Sequence, residues 1–324
     1  MTVKTDSAGQ ERIHKVVYSG PEHGRDIITE QLGRNFRVEM AAATPESIGA
    51  LLQDAEVFLD ASMKVPLPRK MLERAVKLRL VITATTGADH IENAYLETRG
   101  IPLLTLKGQN HVTNQLTPAA ELSWLLLMAC ARKLRYAIHH VEQGHWDREL
   151  FPGIMLNGKT LGLVGCGRIG KWMARYGHAF GMRVLGYDPY NQDWPEQLTP
   201  VSLQELMSES QFISIHVNLT EETRHLIGPK ELALVKPGAI LINTARGAVV
   251  DEDALLAALK DGQIAAVGCD VMEGEPQVRK TRLWQYAQDH LDCVITPHIG
   301  GFSPDALKVV LEFTAQRISD FFKE

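Results

Sequence analysis

Hydrophobic residues in this chain gather in short β-rich runs of six to eight residues, most of which are continuously apolar and do not alternate with polar residues. Between the runs lie segments with helical composition, such as PLPRKMLERAV. Continuous apolar runs are typical of parallel strands that helices cover on both faces. The pattern predicts an α/β fold with two doubly wound parallel sheets of the Rossmann or flavodoxin type. The runs form two series, 14–19, 36–41, 55–60, 78–85 and 101–107, then 159–165, 182–188, 211–217, 239–245, 264–271 and 293–298.

A long helical segment separates the two series of strands. Thr117 is a suitable N-cap and Pro118 suits the first helical position, so we expect one helix over roughly residues 118–143. The last stretch, SPDALKVVLEFTAQRISDFF, is predicted to form an amphipathic helix with Ser303 as its N-cap. These two helices bracket the second series of strands.

Composition and charge narrow the functional classes. The length of 324 residues suggests two domains, and 45% hydrophobic with 23% charged residues is ordinary for a globular protein. A net charge of -5 without basic blocks argues against nucleic acid or an anionic membrane as a partner. No apolar stretch is long enough to span a bilayer. The polar N-terminus lacks the apolar run of a signal peptide, so we expect a cytoplasmic protein.

The four cysteines show no CxxC pattern and no spacing typical of metal ligands. They lie inside apolar segments, which is where small buried residues of a reduced protein are found. We therefore expect neither a disulfide nor a metal site from Cys130, Cys166, Cys269 and Cys293.

The segment LGLVGCGRIG carries a dinucleotide fingerprint at the end of the first strand of the second series. Gly165, Gly167 and Gly170 fit G-x-G-x-x-G, with a strand before the motif and a helix-like run after it. The first glycine allows a tight turn, the second a close approach to a pyrophosphate, and the third close packing of helix on strand. The following helix would offer its unpaired N–H groups to the phosphates. The motif, which includes Arg168 and Ile169, predicts a cofactor site.

Asp188 closes the next strand, eighteen residues after Gly170. Its carboxylate can accept hydrogen bonds from ribose hydroxyls and would repel a 2′-phosphate. The residues that follow, Pro189-Tyr190-Asn191, supply no arginine to offset that repulsion. The sequence therefore predicts NAD in preference to NADP.

Three ionisable residues stand at or just beyond the ends of later strands. Arg246 follows AILINTA, Glu275 lies four residues beyond Val271, and His298 follows CVITP. Ligands of open α/β sheets bind beyond the carboxyl ends of strands. Hydride transfer to a 2-oxo acid needs a cation for the carboxylate, an acid for the developing alkoxide, and a carboxylate that keeps this acid charged. The three residues fit these roles, although each alone is also consistent with a structural position: a salt-bridging arginine, a solvated glutamate, or a histidine that fills the end of a strand.

The sequence resembles the D-isomer-specific 2-hydroxyacid dehydrogenase family over nearly its whole length. The motifs that carry the resemblance are TGADHIE, LGLVGCGRIGK, HVNLTEETRHLI, LINTARGAVVDEDAL, VGCDVMEGEP and TPHIGG. The resemblance implies an outer substrate domain of residues 1–120 and 299–324, an NAD domain of residues 121–298, and a cleft between them. It also implies homodimers.

The resemblance assigns roles to individual residues. It makes the three strand-end residues the catalytic trio. It also implies that the backbone amides of Thr86 and Gly87 bind the substrate carboxylate. Ser62 and Lys64 are candidate substrate residues; Lys64 could meet a second anionic group, and a solvated loop lysine is the alternative. Cofactor contacts are implied for His216, Val217, Asn218, Thr244, Ala245, Asp270 and Gly301.

The chain departs from the family pattern in places that leave the substrate open. Thr85 stands where many members have a glycine, Leu122 replaces the family's histidine, and the loop of residues 108–120 is longer than expected. The specific 2-hydroxy acid therefore does not follow from the sequence. Two other functions also stay open: oxidation of phosphite, which uses the same trio, and a non-catalytic NAD-sensing scaffold.

Overall fold

The computed structural model describes residues 13–323, so the polar N-terminal segment considered above lies outside it. The chain divides into two compact units. The first unit comprises the residues up to Leu116 together with those from Ser303 onward, and the second unit comprises Thr117–Phe302. The bounds of the second unit lie four residues outside those predicted for the NAD domain at each end.

Strands and helices alternate along both units. Up to Leu116 they are β1 His14–Ser19, α1 Glu22–Leu32, β2 Phe36–Met40, α2 Pro45–Leu52, β3 Val57–Asp60, α3 Arg69–Arg74, β4 Leu80–Thr83, α4 Asn93–Thr98, β5 Leu103–Leu104 and α5 Asn110–Thr113. From Thr117 onward they are α6 Pro118–Ala131, α7 Leu134–Glu142, β6 Thr160–Val164, α8 Arg168–Ala179, β7 Arg183–Tyr187, β8 Thr199–Pro200, α9 Leu203–Glu209, β9 Phe212–Ile215, α10 Pro229–Leu232, β10 Ala239–Asn243, α11 Glu252–Lys260, β11 Ile264–Cys269, α12 Arg282–Asp289, β12 Cys293–Ile295 and α13 Pro304–Lys323.

The first unit is built on a five-stranded parallel sheet of order β2-β1-β3-β4-β5. This order reverses direction between β1 and β3, as in flavodoxin-like sheets. One core joins α1 and α13 to one face of the sheet, and a second core joins α2, α3 and α4 to the other. The terminal helix α13 therefore packs on the sheet that the first five strands form.

The second unit contains a seven-stranded parallel sheet of order β12-β11-β10-β9-β6-β7-β8. The direction reverses between β6 and β9, which is the arrangement of dinucleotide-binding sheets. Every residue of β6 and β10 is buried, because α6 and α8 pack on one face and α9, α11 and α12 on the other. These two sheets confirm the predicted fold class. The sequence did not reveal the short edge strand β8.

The prediction of a single helix over residues 118–143 is wrong. Two helices occupy this segment, and α6 ends at Ala131. Lys133 adopts a left-handed conformation with φ of 50°, which interrupts the helical path before α7 begins. Thr117 does not cap α6 through its side chain, because its hydroxyl donates to the carboxylate of Glu121.

The terminal helix begins as predicted. The hydroxyl of Ser303 accepts the N–H of Ala306 at 3.2 Å, which is the N-cap arrangement. All four cysteines are buried and unpaired. Within residues 13–323, no helix is long and apolar enough to cross a membrane, and no group of three metal-ligating side chains is placed to hold an ion.

Candidate active site

The turn between β6 and α8 has a geometry that only glycine permits at two positions. Gly165 has φ of +92°, and a Cβ built on it would lie 2.7 Å from the carbonyl carbon and oxygen of His216. A Cβ on Gly170 would lie 2.3 Å from the carbonyl oxygen of Gly165, so a side chain there would push α8 off the turn. At Gly167, by contrast, a Cβ would meet nothing within 4 Å. The turn is therefore closed toward the sheet and open where a phosphate would lie.

The start of α8 and the end of β7 fit the two halves of a dinucleotide. Gly167 precedes α8 without a side chain to cap it, and no acidic residue lies in the first turn. Burial lowers the pKa of Arg168 in this turn. Asp188 is held by two backbone amides, since its Oδ2 accepts the N–H of Cys166 at 2.9 Å and its Oδ1 that of Tyr190 at 3.0 Å. These contacts fix a carboxylate beside the glycine turn, where a ribose would be recognised.

The loop after β9 forms the opposite side of the same switch point. Burial lowers the pKa of His216 to about 3, so this ring is neutral. Its Nε2 lies 2.9 Å from the hydroxyl of Ser214, and its buried Nδ1 has no hydrogen-bond partner within residues 13–323. Val217 contacts the glycine turn, since a Cβ on Gly165 would lie 2.8 Å from its Cγ1. Asn218 is exposed.

His298 and Glu275 form a direct pair beyond the ends of β12 and β11. The Nδ1 of His298 lies 2.9 Å from Oε1 of Glu275, with side-chain exposures of 34% and 31%. The hydrogen bond that His298 donates to Glu275 raises the pKa of His298, burial lowers it, and the negative charge of Glu275 raises it further. The nearby Arg246 lowers this pKa and Asp270 raises it, so the charges of three side chains act on the ring. The balance favours an imidazolium that can give up a proton.

Asp270 holds the turn that carries His298. Its carboxylate, only 1% exposed, accepts the N–H groups of Ile299 at 2.9 Å and Gly300 at 2.7 Å, and the hydroxyl of Thr296 at 2.6 Å. Its carbonyl oxygen accepts the N–H of His298 at 2.9 Å. These bonds stabilise His298 in a left-handed conformation with φ of 53°, which is uncommon for a residue other than glycine.

Two buried residues that the sequence did not single out support the loop after β10. The side-chain oxygen of Asn243 accepts the N–H of Ala245 at 3.1 Å, and its amide donates to the carbonyl of Arg246 at 3.0 Å. The hydroxyls of Ser123 and Thr244 lie 2.6 Å apart and join α6 to this loop. The backbone of Arg246 is therefore anchored at the strand end. No local motif marks the contact between Ser123 and Thr244, because these residues are 121 positions apart in the sequence.

Comparison with known proteins gives this arrangement a family. The model of the D-isomer specific 2-hydroxyacid dehydrogenase NAD binding domain matches residues 124–300. The chain belongs to the D-isomer specific 2-hydroxyacid dehydrogenase family. Residues 124–300, which hold the glycine turn and the trio, are thus an NAD-binding domain, and NAD is the cofactor.

Individual members of the family match most of this chain. A D-3-phosphoglycerate dehydrogenase of Methanocaldococcus jannaschii is 37% identical over 94% of the chain, which spans only 56% of that protein's length. A glyoxylate reductase of Thermococcus litoralis is 40% identical over 79% of the chain and 77% of its own length. The crystal structure of D-lactate dehydrogenase from Aquifex aeolicus, complexed with NAD and lactic acid, has a TM-score of 0.82 at 30% identity and covers 95% of both chains.

Four of the predicted site residues lie outside the NAD-binding unit. Ser62, Lys64, Thr86 and Gly87 lie in the first unit, in the loops that follow β3 and β4. Lys64 and Thr86 are exposed. The hydroxyl of Thr85 donates to the carbonyl of Gly87 at 2.8 Å, so this departure from the family pattern fixes the loop itself. In the second unit, Ile169 packs on the core and Gly301 is exposed.

Proposed function

We propose that this chain is an NAD-dependent oxidoreductase that interconverts a 2-oxo acid and a D-2-hydroxy acid. The observation that carries the proposal is the pair of His298 and Glu275, 2.9 Å apart, at strand ends of an NAD-binding domain and within the electrostatic reach of Arg246. The relatives named glyoxylate reductase and hydroxypyruvate reductase make small 2-oxo acids the first substrates to test.

Each member of the trio has one task in the proposed reaction. The bound NADH supplies a hydride to C2 of the substrate. Arg246 holds the substrate carboxylate through its planar fork of N–H donors. His298 binds Glu275 through Nδ1 and donates the proton on Nε2 to the C2 oxygen. In the oxidation direction neutral His298 removes the hydroxyl proton, and Glu275 stabilises the imidazolium that forms.

The first unit is proposed to complete substrate recognition. Backbone amides at Thr86 and Gly87 share the carboxylate with Arg246. Ser62 and Lys64 lie on the preceding loop, and Lys64 would suit a substrate with a second anionic group. These assignments rest on the family resemblance of TGADHIE and on the position of both loops at strand ends.

A panel of substrates tests the reaction type. NADH absorbance is followed with glyoxylate, hydroxypyruvate, pyruvate and longer 2-oxo acids, and NAD reduction is followed with phosphite. Turnover of a 2-oxo acid supports the proposal. Turnover of phosphite alone would support the alternative oxidation, and NADH binding without any turnover would favour a sensing scaffold. Formate is disfavoured because its oxidation gives CO2 directly and leaves Glu275 and His298 no hydroxyl proton to take.

We also propose a homodimer that forms through the second unit. None of the residues of α7 is buried, and Leu134, Ile138 and Val141 expose one apolar face of it at 42–51%. Trp146 and Met155, in the segment that follows, are 87% and 71% exposed. Apolar surface of this extent is typical of an association site. Light scattering of the purified chain tests this, and a monomer at micromolar concentration would contradict it.

A further inference from the structure

Three neighbouring strands of the first unit end in buried polar residues. Ser19, Asp60 and Thr83 lie in register at the carboxyl ends of β1, β3 and β4, with exposures of 0%, 2% and 1%. The loops that leave β3 and β4 at this edge, residues 61–64 and 85–91, contain the residues proposed to meet the substrate. Whatever fixes these two loops therefore bears on substrate binding.

The first loop is wrapped around the carboxylate of Asp60. Its Oδ1 accepts the N–H of Ser62 at 3.0 Å and the hydroxyl of Ser62 at 2.8 Å, and its Oδ2 accepts the N–H of Met63 at 3.1 Å. The hydroxyl of Ser62 in turn accepts the N–H of Lys64 at 3.3 Å. These bonds stabilise Met63 in a left-handed conformation with φ of 54°. The loop thus depends on one buried carboxylate.

The second loop is joined to the same carboxylate by His90. Its Nε2 lies 2.7 Å from Oδ2 of Asp60, and the two side chains are 11% and 3% exposed. The backbone of His90 is anchored separately, since its carbonyl accepts the N–H of Leu67 at 2.8 Å. Burial raises the pKa of Asp60, but hydrogen bonds from His90 and Ser62 outweigh it and hold this pKa below its usual value. The contact is therefore a charge-assisted hydrogen bond.

We propose that Asp60 and His90 are positioning residues that lock the two loops together and so set the affinity for the 2-oxo acid. The inference rests on the proposed function, because it requires these loops to contact the substrate. Both oxygens of Asp60 are occupied by donors from the protein. Asp60 consequently acts through the placement of Ser62, Lys64 and the second loop, and it does not touch the substrate itself.

Steady-state kinetics of three variants test the lock. His90→Leu removes the donor, Asp60→Asn removes the charge, and His90→Gln keeps an N–H close to the position of Nε2. We expect kcat/KM for the 2-oxo acid to fall roughly tenfold or more in the first two variants, because small misplacements of substrate contacts are costly. KM for NADH should stay within about twofold of wild type. His90→Gln should recover most of the lost kcat/KM.

The chain offers a matched control at the opposite end of the same sheet. His14 and Glu56 form a second histidine–carboxylate pair, 3.1 Å apart, with exposures of 13% and 12%. It lies at the amino ends of β1 and β3, away from both loops. His14→Leu should lower Tm as His90→Leu does and leave kcat/KM unchanged. An equal loss of kcat/KM in both variants, or no loss in either, would overturn the proposal.

Hydrogen exchange separates failure of the lock from failure of the proposed function. In His90→Leu, the amides of residues 62–64 and 86–90 should exchange faster than in wild type, and His14→Leu should leave them unchanged. If the wild-type chain turns over no 2-oxo acid, the proposed function fails, while faster exchange confined to these loops still supports the lock. Unchanged exchange there in His90→Leu overturns the lock whatever the activity.

Discussion

Substitution of Glu275 by glutamine should move the pH dependence of catalysis. Glutamine keeps an oxygen that can accept from Nδ1 of His298 at the observed 2.9 Å, so the ring stays oriented. The negative charge is lost, so the charge attraction that helps to raise the pKa of His298 disappears and the hydrogen bond, the largest influence that raises it, becomes a weaker neutral one. Burial and Arg246, which both lower this pKa, are then opposed only by this weaker hydrogen bond and by Asp270.

The size of the shift follows from distance and exposure. An opposite charge within hydrogen-bond reach shifts a pKa by about 1–3 units. Both side chains are about one third exposed, so water screens the pair and the low end of that range applies. We therefore expect the pKa of His298 to fall by about 1 unit, equivalent to ~1.4 kcal/mol.

The sign is fixed by the role of the imidazolium. Reduction needs protonated His298, so kcat/KM is full below its pKa and is lost as pH rises through it. In Glu275→Gln the falling limb of kcat/KM against pH should lie about 1 pH unit lower. Above the pKa values of both enzymes kcat/KM of the variant should be up to roughly tenfold lower than that of wild type, and below both values it should be unchanged. In the oxidation direction the rising limb should move to lower pH by the same amount.

The assay is kcat/KM for the best 2-oxo acid at saturating NADH across pH 5–9. Glu273→Gln is the control, because Glu273 lies two residues away and contacts Arg224 and His225. It should leave the profile in place. A uniform loss at every pH in Glu275→Gln, without displacement of the limb, would refute an electrostatic role for Glu275.

The cofactor site yields two further expectations. Asp188→Ala should raise Kd for NADH by roughly 10- to 100-fold, because hydrogen bonds to the ribose are lost, and should leave Kd for NADPH unchanged. Fluorescence titration measures both Kd values. An equal increase for both cofactors would count against Asp188 as the ribose ligand. In Gly165→Ala the new side chain would have to adopt a φ of +92°, and its Cβ would lie 2.7 Å from the backbone of His216. The substitution should therefore lower the free energy of unfolding, measured by urea titration, by about 2–5 kcal/mol. Gly262→Ala, with φ of +73° but nothing within 4 Å, isolates the strain alone, and an equal effect in both variants would exclude the predicted clash.

The strands of this fold were predictable because burial on both faces leaves a continuous apolar run in the sequence. The run 14–19 coincides with β1, and most other runs exceed their strands by one to three residues, which lie in the adjoining turns. The break between α6 and α7 was not predictable. Its sequence, Arg132-Lys133, is compatible with a helix, and the left-handed Lys133 depends on its tertiary surroundings.

The candidate site was predictable only where its chemistry is local in the sequence. The glycine fingerprint and the residues that follow the strands have short signatures, so Gly165 and His298 could be singled out. The contacts that orient them join distant segments. Asp270 precedes Gly300 by 30 residues, and Asp60 precedes His90 by 30, with no motif linking either pair. Such contacts form only when folding brings the carboxyl ends of parallel strands together, so the sequence alone does not predict them.

The most direct test of the proposed reaction is the rate of NADH oxidation with a 2-oxo acid by wild type and by His298→Ala. We predict turnover in wild type and a loss of about 10²–10⁴-fold in kcat in the variant, because a positioned acid contributes on that scale. Kd for NADH should be largely unchanged, since the glycine turn and Asp188 are intact. Near-normal turnover in His298→Ala would contradict the role of His298 as proton donor.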